Sequence, residues 1–314
     1  MHTISLSDSA LFDYVEASGP DASSFLQGQL TCNLEKLGPN NSLKGALCNL
    51  KGRVVADMHL FLLDPERIWL QTSQGNGQKI VDTLSRYAVF SKVELSPVDG
   101  PARVVGLIGE PASETVRNLL SDCPAAANEV CRNESFLAVR IAGQNPRYQL
   151  WSLDDDAARS LQQQEIVPEP DETGIWERED VLAGIVHVTS ETSELYTPQL
   201  LNYDISGVID FEKGCYTGQE VVARMHYRAK PKKRLYRLCA EQAIARDARI
   251  VIAGNSDETV VELLAVAPQC TPGESGAALG IVSKELADTA PKLELAMEQP
   301  VPVQIFELDY SAGQ

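Results

Sequence analysis

The chain has 314 residues, of which 44% are hydrophobic and 23% charged, the balance of a globular protein with a sizeable core in about two or three domains. A formal net charge of −17 excludes a general coat for nucleic acid or an acidic membrane, because phosphate binding needs a basic surface.

The opening MHTISLSDSALF has no basic n-region and no apolar h-region, so no secretory signal is expected. No run approaches the ~18 apolar residues that span a bilayer. Seven cysteines occur, at Cys32, Cys48, Cys123, Cys131, Cys215, Cys239 and Cys270. Their number is odd and no CxxC spacing appears, so neither a disulfide framework nor a dedicated zinc site is expected. The chain reads as a reduced, cytoplasmic protein.

In chain order, ALFDYVEAS reads as a strand and GPDASSFLQG as a short helix, with Pro20 near its first turn and Gly28 at its end. VVADMHLFLL and RIWLQTS read as paired strands around a DPE turn. NGQKIVDTLSRYA reads as a helix and FSKVELSPV as a strand. Further strands are expected at ARVVGLIG, SFLAVRIAG and YQLWSL, and helices at ASETVRNLLSD, DDAARSLQQQ and GIWEREDVLAGI. GVIDF reads as a strand ahead of KGCYTGQEVVAR. After Lys233 the pattern changes to short strands at LYRLCA, RIVIAG, TVVELLAVA, ALGIVS and VPVQIFEL, which read as a small β-barrel or sandwich. Strands and helices do not alternate as βαβ units, so the class is α+β, with one region over 1–233 and a C-terminal β-domain over 234–314.

The segment with the most chemistry is KGCYTGQEVVAR, Lys213 to Arg224. Thr217-Gly218-Gln219-Glu220 has the spacing of a capping box, with Thr217 accepting from the amide of Glu220. Cys215 then lies two residues before the cap, near the positive end of the helix dipole and close in sequence to Lys213, an environment that favours thiolate over thiol. Gly214 and Gly218 allow unusual backbone angles or a close ligand. The pattern fits either a reactive thiol or a turn cysteine beside a capped helix.

KGCYTGQE resembles the K-G-C-Y-x-G-Q-E signature of the YgfZ family of folate-binding proteins, relatives of the glycine-cleavage aminomethyltransferase. GPDASSFLQGQLT, RYAVFSKV and TPQLLNYD resemble further landmarks of that family, in its order. The resemblance implies the aminomethyltransferase fold: two interwoven α+β domains plus a C-terminal antiparallel β-barrel around a central hole that takes tetrahydrofolate. It also implies a role in assembling or repairing iron–sulfur clusters in client enzymes, among them the radical enzymes that methylthiolate tRNA.

The resemblance further assigns candidate folate residues. Trp176 matches one of two tryptophans that the family associates with folate, and Phe12 stands where the other would fall. Lys213, Tyr216, Gln219, Glu220 and Arg224 are carried with the signature. Gln199 and Asn202 offer amides to the cavity, or cap a turn. Asp57 falls where the aminomethyltransferases keep a catalytic aspartate, although an aspartate on a strand facing solvent is the plainer reading. His59 and His187 sit in apolar contexts and read as core residues, and His226 as a surface residue.

Residues 224–237 hold seven Lys or Arg and no Asp or Glu, on a chain that otherwise carries 20 basic against 44 acidic residues. That stripe suits the carboxylates of polyglutamylated folate, an anionic partner such as tRNA, or a solvated linker. The leading expectation is a tetrahydrofolate-binding accessory protein for iron–sulfur enzymes, with Cys215 as reactive thiol and transient cluster ligand or redox partner. The alternatives are a folate-dependent one-carbon transferase using Asp57, and a tRNA-binding module.

Overall fold

A computed structural model describes residues 1–7, 11–171, 173–228, 231–255, 258–268 and 275–310. Cys270 and Lys230 lie outside the described residues. The first elements are β1 (His2–Ser5), β2 (Phe12–Ser18), α1 (Ala22–Gln27), β3 (Leu43–Cys48), β4 (Val54–Asp64), β5 (Arg67–Ser73), α2 (Gly77–Ser85) and β6 (Glu94–Val98). There follow β7 (Arg103–Ile108), α3 (Ala112–Leu120), β8 (Val130–Arg132), β9 (Phe136–Ile141), β10 (Arg147–Ser152), α4 (Asp155–Gln163), β11 (Glu169–Pro170), α5 (Ile175–Leu182) and α6 (Gln219–Arg228). The C-terminal part holds β12 (Lys233–Ala240), β13 (Ile250–Ile252), β14 (Val261–Val266), β15 (Gly276–Ser283), α7 (Lys284–Thr289), β16 (Leu293–Leu295) and β17 (Val301–Phe306).

Three sheets result. The first runs β3-β4-β5-β2-β6 and the second β11-β1-β7-β10-β9-β8. All five strands of the first sheet lie in sequence between β1 and β7, which are neighbours in the second, so the two units are interwoven. The third sheet runs β13-β16-β17-β12-β15-β14 with antiparallel pairing throughout. It curls until its outer strands meet: the amide of Val260, just ahead of β14, donates to the carbonyl of Ile250 on β13 at 2.9 Å.

Local chemistry explains the main elements. β4 and β5 carry β-branched and aromatic residues that pack into two clusters, one on each side of the first sheet. α2 buries Ile80 and Leu84, spaced i and i+4, against the first of these clusters. α5 starts where the carboxylate of Asp171 accepts from the amides of Ile175 and Trp176 at 2.9 and 3.0 Å.

Two sequence expectations are corrected. GVIDF, residues 207–211, forms turns and not a strand. Its backbone groups go elsewhere: the amide of Asp210 donates to Thr31, that of Ile209 to Tyr203, and the carbonyl of Val208 accepts from the Thr31 hydroxyl. Cys215 is therefore not on a strand-to-helix turn. The expected capping box does not form either. The Thr217 hydroxyl donates to Oε1 of Gln29 at 2.9 Å, because the segment is fastened to the stretch after α1. The sequence reading also passed over β1, β3 and α7. In β3 the strand pattern is broken by Gly45, which packs against the Cys32 thiol where a side chain would collide.

Thr31 is the rivet between these regions. It is fully buried, donates to Val208 at 2.7 Å and accepts from the Ala46 amide at 2.8 Å. Thr31→Val keeps the shape and leaves a buried carbonyl and a buried amide unpaired. At about 1–3 kcal/mol for each of the two unsatisfied groups, it should destabilise the fold by about 2–6 kcal/mol, read as a lower urea midpoint with unchanged slope.

Candidate functional site

A cavity of about 780 Å³ lies where the three sheets converge. Phe12, Lys44, Asp57, His59 and Gln71 line it from the first sheet, Gln149 from the second, and Trp176 and Asp180 from α5. Arg237, Leu308 and Tyr310 close it from the C-terminal part. Strand register organises the first-sheet wall. Lys44 stands opposite His59, His59 opposite Gln71, and Gln71 opposite Tyr14, so one row of polar side chains crosses β3, β4, β5 and β2. The Gln71 amide donates to the Tyr14 hydroxyl at 2.9 Å and to Gln149 of the second sheet at 3.0 Å.

A chain of charges crosses the cavity. Asp57 accepts from the amide of Val188 at 2.6 Å and from Nδ1 of His187 at 2.9 Å. Nε2 of His187 lies 3.7 Å from Asp180, whose other oxygen accepts from Arg147 at 2.7 Å. Arg147 is fully buried, donates twice to the carbonyl of Ala142, and sets its guanidinium 5.0 Å from the ring of Trp176.

The electrostatics follow. Burial disfavours the His187 imidazolium, but the Asp57 and Asp180 carboxylates outweigh it and push its pKa up to about 10. Burial would raise Asp180; Arg147 and His187 instead hold it at about 2. His59 goes the other way: burial, Lys44 and His187 all push it well below the usual imidazole range, so it is neutral, with Nε2 2.7 Å from the Ser42 hydroxyl. Lys44 has no hydrogen bond or ion pair among the described residues, and burial lowers its ammonium to about 8. The buried Oδ1 of Asn128, also on the cavity wall, has no partner.

The cysteine segment occupies a different place. The ammonium of Lys213 is buried and donates to the carbonyls of Gln27, Leu30 and Cys32 at 2.7, 2.6 and 2.8 Å. It points away from the solvent side, so it is not the cationic neighbour of the thiol that the sequence suggested. Burial lowers it to about 8. Tyr216 is buried with its ring 5.2 Å from that ammonium. Gly218 has φ +82° and sits so close to the Asn49 carbonyl that an added Cβ would lie 2.5 Å from it. Inward-facing Lys213, Tyr216 and Thr217 thus anchor the loop and leave Cys215 exposed, flanked by Gly214 with open space around it.

Of the residues singled out from sequence, Phe12, Trp176 and Asp57 line the cavity. Lys213, Cys215, Tyr216, Gln219, Glu220 and Arg224 do not. Gln199 and Asn202 are also outside it and are spent on structure. The Gln199 amide donates to the carbonyl of Val222, and that of Asn202 to Leu235 at the start of the third sheet. Asp57 faces the cavity and not bulk solvent, and His187, read as a core residue, opens onto the cavity with 43% of its side chain exposed. Arg147, Asp180 and Lys44 were not read from sequence. Asp180 carried a signal: it lies four residues after Trp176, hence on the same helix face. In the basic stripe, Arg234 is held by both oxygens of Asp204 at 2.8 Å and Arg237 turns to the cavity.

Comparison with known proteins bears on the family and the fold. Residues 1–145 match the model of the GCVT N-terminal domain. The chain is 31% identical over 225 residues to the tRNA-modifying protein YgfZ of Colwellia psychrerythraea, covering 72% of this chain and 68% of that one. It is 31% identical over 238 residues to that of Pectobacterium carotovorum, covering 76% and 70%. The aminomethyltransferase T of the glycine cleavage system from Bartonella henselae has the same fold, with a TM-score of 0.77 over 100% of this chain and 87% of its own at 15% identity. Among the described residues, no helix is long and apolar enough to cross a membrane.

The Asp57–His187 pair gives a direct test. Asp57→Asn removes the largest interaction that raises the His187 pKa, so the ring should titrate several tenths to more than one unit lower, toward the ordinary imidazole value of about 6.5. Ring proton shifts of His187 followed by NMR across pH 5 to 12 in wild type and variant would show it. An unmoved titration would mean that Asp180 alone holds the proton.

Proposed function

Because the chain belongs to the YgfZ family of tRNA-modifying proteins, we propose that it binds tetrahydrofolate or a derivative in the central cavity and supports iron–sulfur enzymes that modify tRNA, with Cys215 as its working thiol. The observation that carries this reading is the build of the cysteine loop. Lys213 and Tyr216 of the signature turn inward with Thr217 to anchor it, and the Cys215 thiol is left facing outward, as a thiol that must meet a partner requires.

The cavity fits a folate. Its volume of about 780 Å³ lies within the usual range for a small-molecule site, about 300–1,000 Å³. Phe12 supplies a ring face, while the Asn128 oxygen and the Lys44 ammonium are an acceptor and a donor awaiting partners. When bound, a reduced folate supplies a carrier for one-carbon units. The chain's own residues supply orientation and a held proton on Nδ1 of His187, next to Asp57. Trp176 is 3% exposed and packs on Gly106 and Arg147, so it shapes the pocket from within the core.

Two readings of the thiol stand: transient ligation of iron or a cluster, and redox exchange with a client. A folate-dependent one-carbon transferase is the second overall reading, and the cavity-facing Asp57–His187 pair favours it. Transfer of a one-carbon unit with a lipoyl-protein substrate, lost in Asp57→Asn, would support that reading over the accessory role. Direct tRNA binding by the 224–237 stripe is the weaker reading, because Arg234 and Arg237 are committed to Asp204 and to Leu182 with Phe306.

Two outcomes test the proposal. Phe12→Leu keeps an apolar side chain and loses the ring, so folate affinity measured by calorimetry should fall about 2- to 10-fold, from the ~0.5–1.5 kcal/mol of an aromatic pair. Cys215→Ser should retain the fold and folate affinity yet fail to restore tRNA methylthiolation and iron–sulfur enzyme activity in a knockout. Full complementation would remove the thiol from the mechanism. In the wild type, limiting alkylating reagent should label Cys215 ahead of Cys32, Cys48, Cys123, Cys131 and Cys239, all of which are at least partly buried.

A further inference from the structure

Lys44 is a cation on the cavity wall that makes no hydrogen bond or ion pair among the described residues, although Asp180 and Asp57 attract it at longer range. The nearby carboxylates are already engaged: Asp57 by His187 and Val188, Asp180 by Arg147 and His187. Those four charged side chains balance, two negative and two positive. The imidazole opposite Lys44, His59, is neutral and turned to Ser42. The four charged side chains and Lys44 sum to one positive charge, so the wall beside Lys44 favours an anion. The other charged residues of the cavity lining, Lys36 paired with Asp210 and Arg237, Glu307 and Asp309 of the C-terminal part, come from other elements.

Sheet geometry says where that charge lies relative to the aromatic face. Tyr14 ends the row that starts at Lys44, and Phe12 is two residues from Tyr14 on β2, hence on the same face. β3 and β2 are separated by β4 and β5, so three strand spacings of ~4.8 Å place Lys44 about 14 Å across the sheet from the column of Phe12. The cavity touches both ends. One wall therefore offers a ring at one side and an unpaired ammonium at the other.

We infer that Lys44 is the carboxylate anchor of the cavity: the ligand lies along the inner face of the first sheet, its fused ring toward Phe12 and a carboxylate of its glutamate tail on the Lys44 ammonium. This rests on the folate reading above and adds to it an orientation and a residue. A charge-assisted hydrogen bond in a partly enclosed site is the kind that survives competition with water.

The test is calorimetric binding of two probes, 5-formyltetrahydrofolate and the tail-less 6-methyltetrahydropterin, to wild type, Lys44→Met and Lys44→Arg. Lys44→Met should weaken the folate about tenfold or more and leave the pterin unchanged, and Lys44→Arg should retain most of the affinity. Near-UV circular dichroism of each variant checks that the cavity walls remain folded. Equal loss for both probes would place Lys44 on the ring and overturn the orientation. Unchanged folate affinity in Lys44→Met would remove the residue from the site while the folate reading stood. Failure of wild type to bind either probe would sink the folate reading, and this inference with it.

Discussion

The guanidinium of Arg147 is the interaction on which the site's geometry rests. It starts on the second sheet, is fully buried, and satisfies its donors on Ala142 and Asp180 while lying over Trp176. That grip holds α5 against the sheet. Through Asp180 and His187 it reaches Asp57 on β4, so one line of alternating charges spans from the second sheet to the first. A buried ion pair is a poor way to gain stability over apolar packing, and removing one partner typically costs about 3–5 kcal/mol. Its value here is positional. It keeps a protonated imidazole hydrogen-bonded to a carboxylate on the wall of a cavity large enough for a ligand.

Much of the first sheet was legible because its signals are local. β4 and β5 follow β-branched and aromatic runs around a turn, and α2 follows an i, i+4 apolar pair. The signature loop was legible as a motif, and its glycines were read as places of unusual backbone. What the motif could not convey was direction. Lys213 is two residues from Cys215 in sequence, yet its side chain runs the opposite way into three carbonyls contributed by residues nearly two hundred positions earlier. The same limit hid the cavity set. Asp57 was singled out from sequence, but Lys44, Arg147 and Asp180 were not, because Arg147 reaches Asp180 from 33 residues away and Asp57 meets His187 from 130 residues away. GVIDF misled for a related reason: its apolar residues serve packing under Tyr203 and Thr31, with no strand beside them to pair with.

The cavity and the exposed thiol are separate but share a wall. Cys32 and Asp210 line the cavity, and Cys32 also accepts from Lys213 at the base of the cysteine loop. Lys36 ties to Asp210 at 2.7 Å on the same stretch. The segment after α1 therefore borders the cavity on one side and the base of the loop that carries Cys215 on the other.

The interwoven topology also has a temporal consequence. β1 is made first, but its antiparallel partner β7 begins about one hundred residues later and its parallel partner β11 later still. Between them the whole first sheet must be synthesised. During translation the leading strand therefore has no ladder to join, and its edges stay open until the second sheet arrives. Pairing at such separation carries a large loop-closure entropy, so assembly of the second sheet should be the slow step and the first sheet an early, self-contained unit. A fold that encloses its ligand space between two such units acquires that space only at the end of folding.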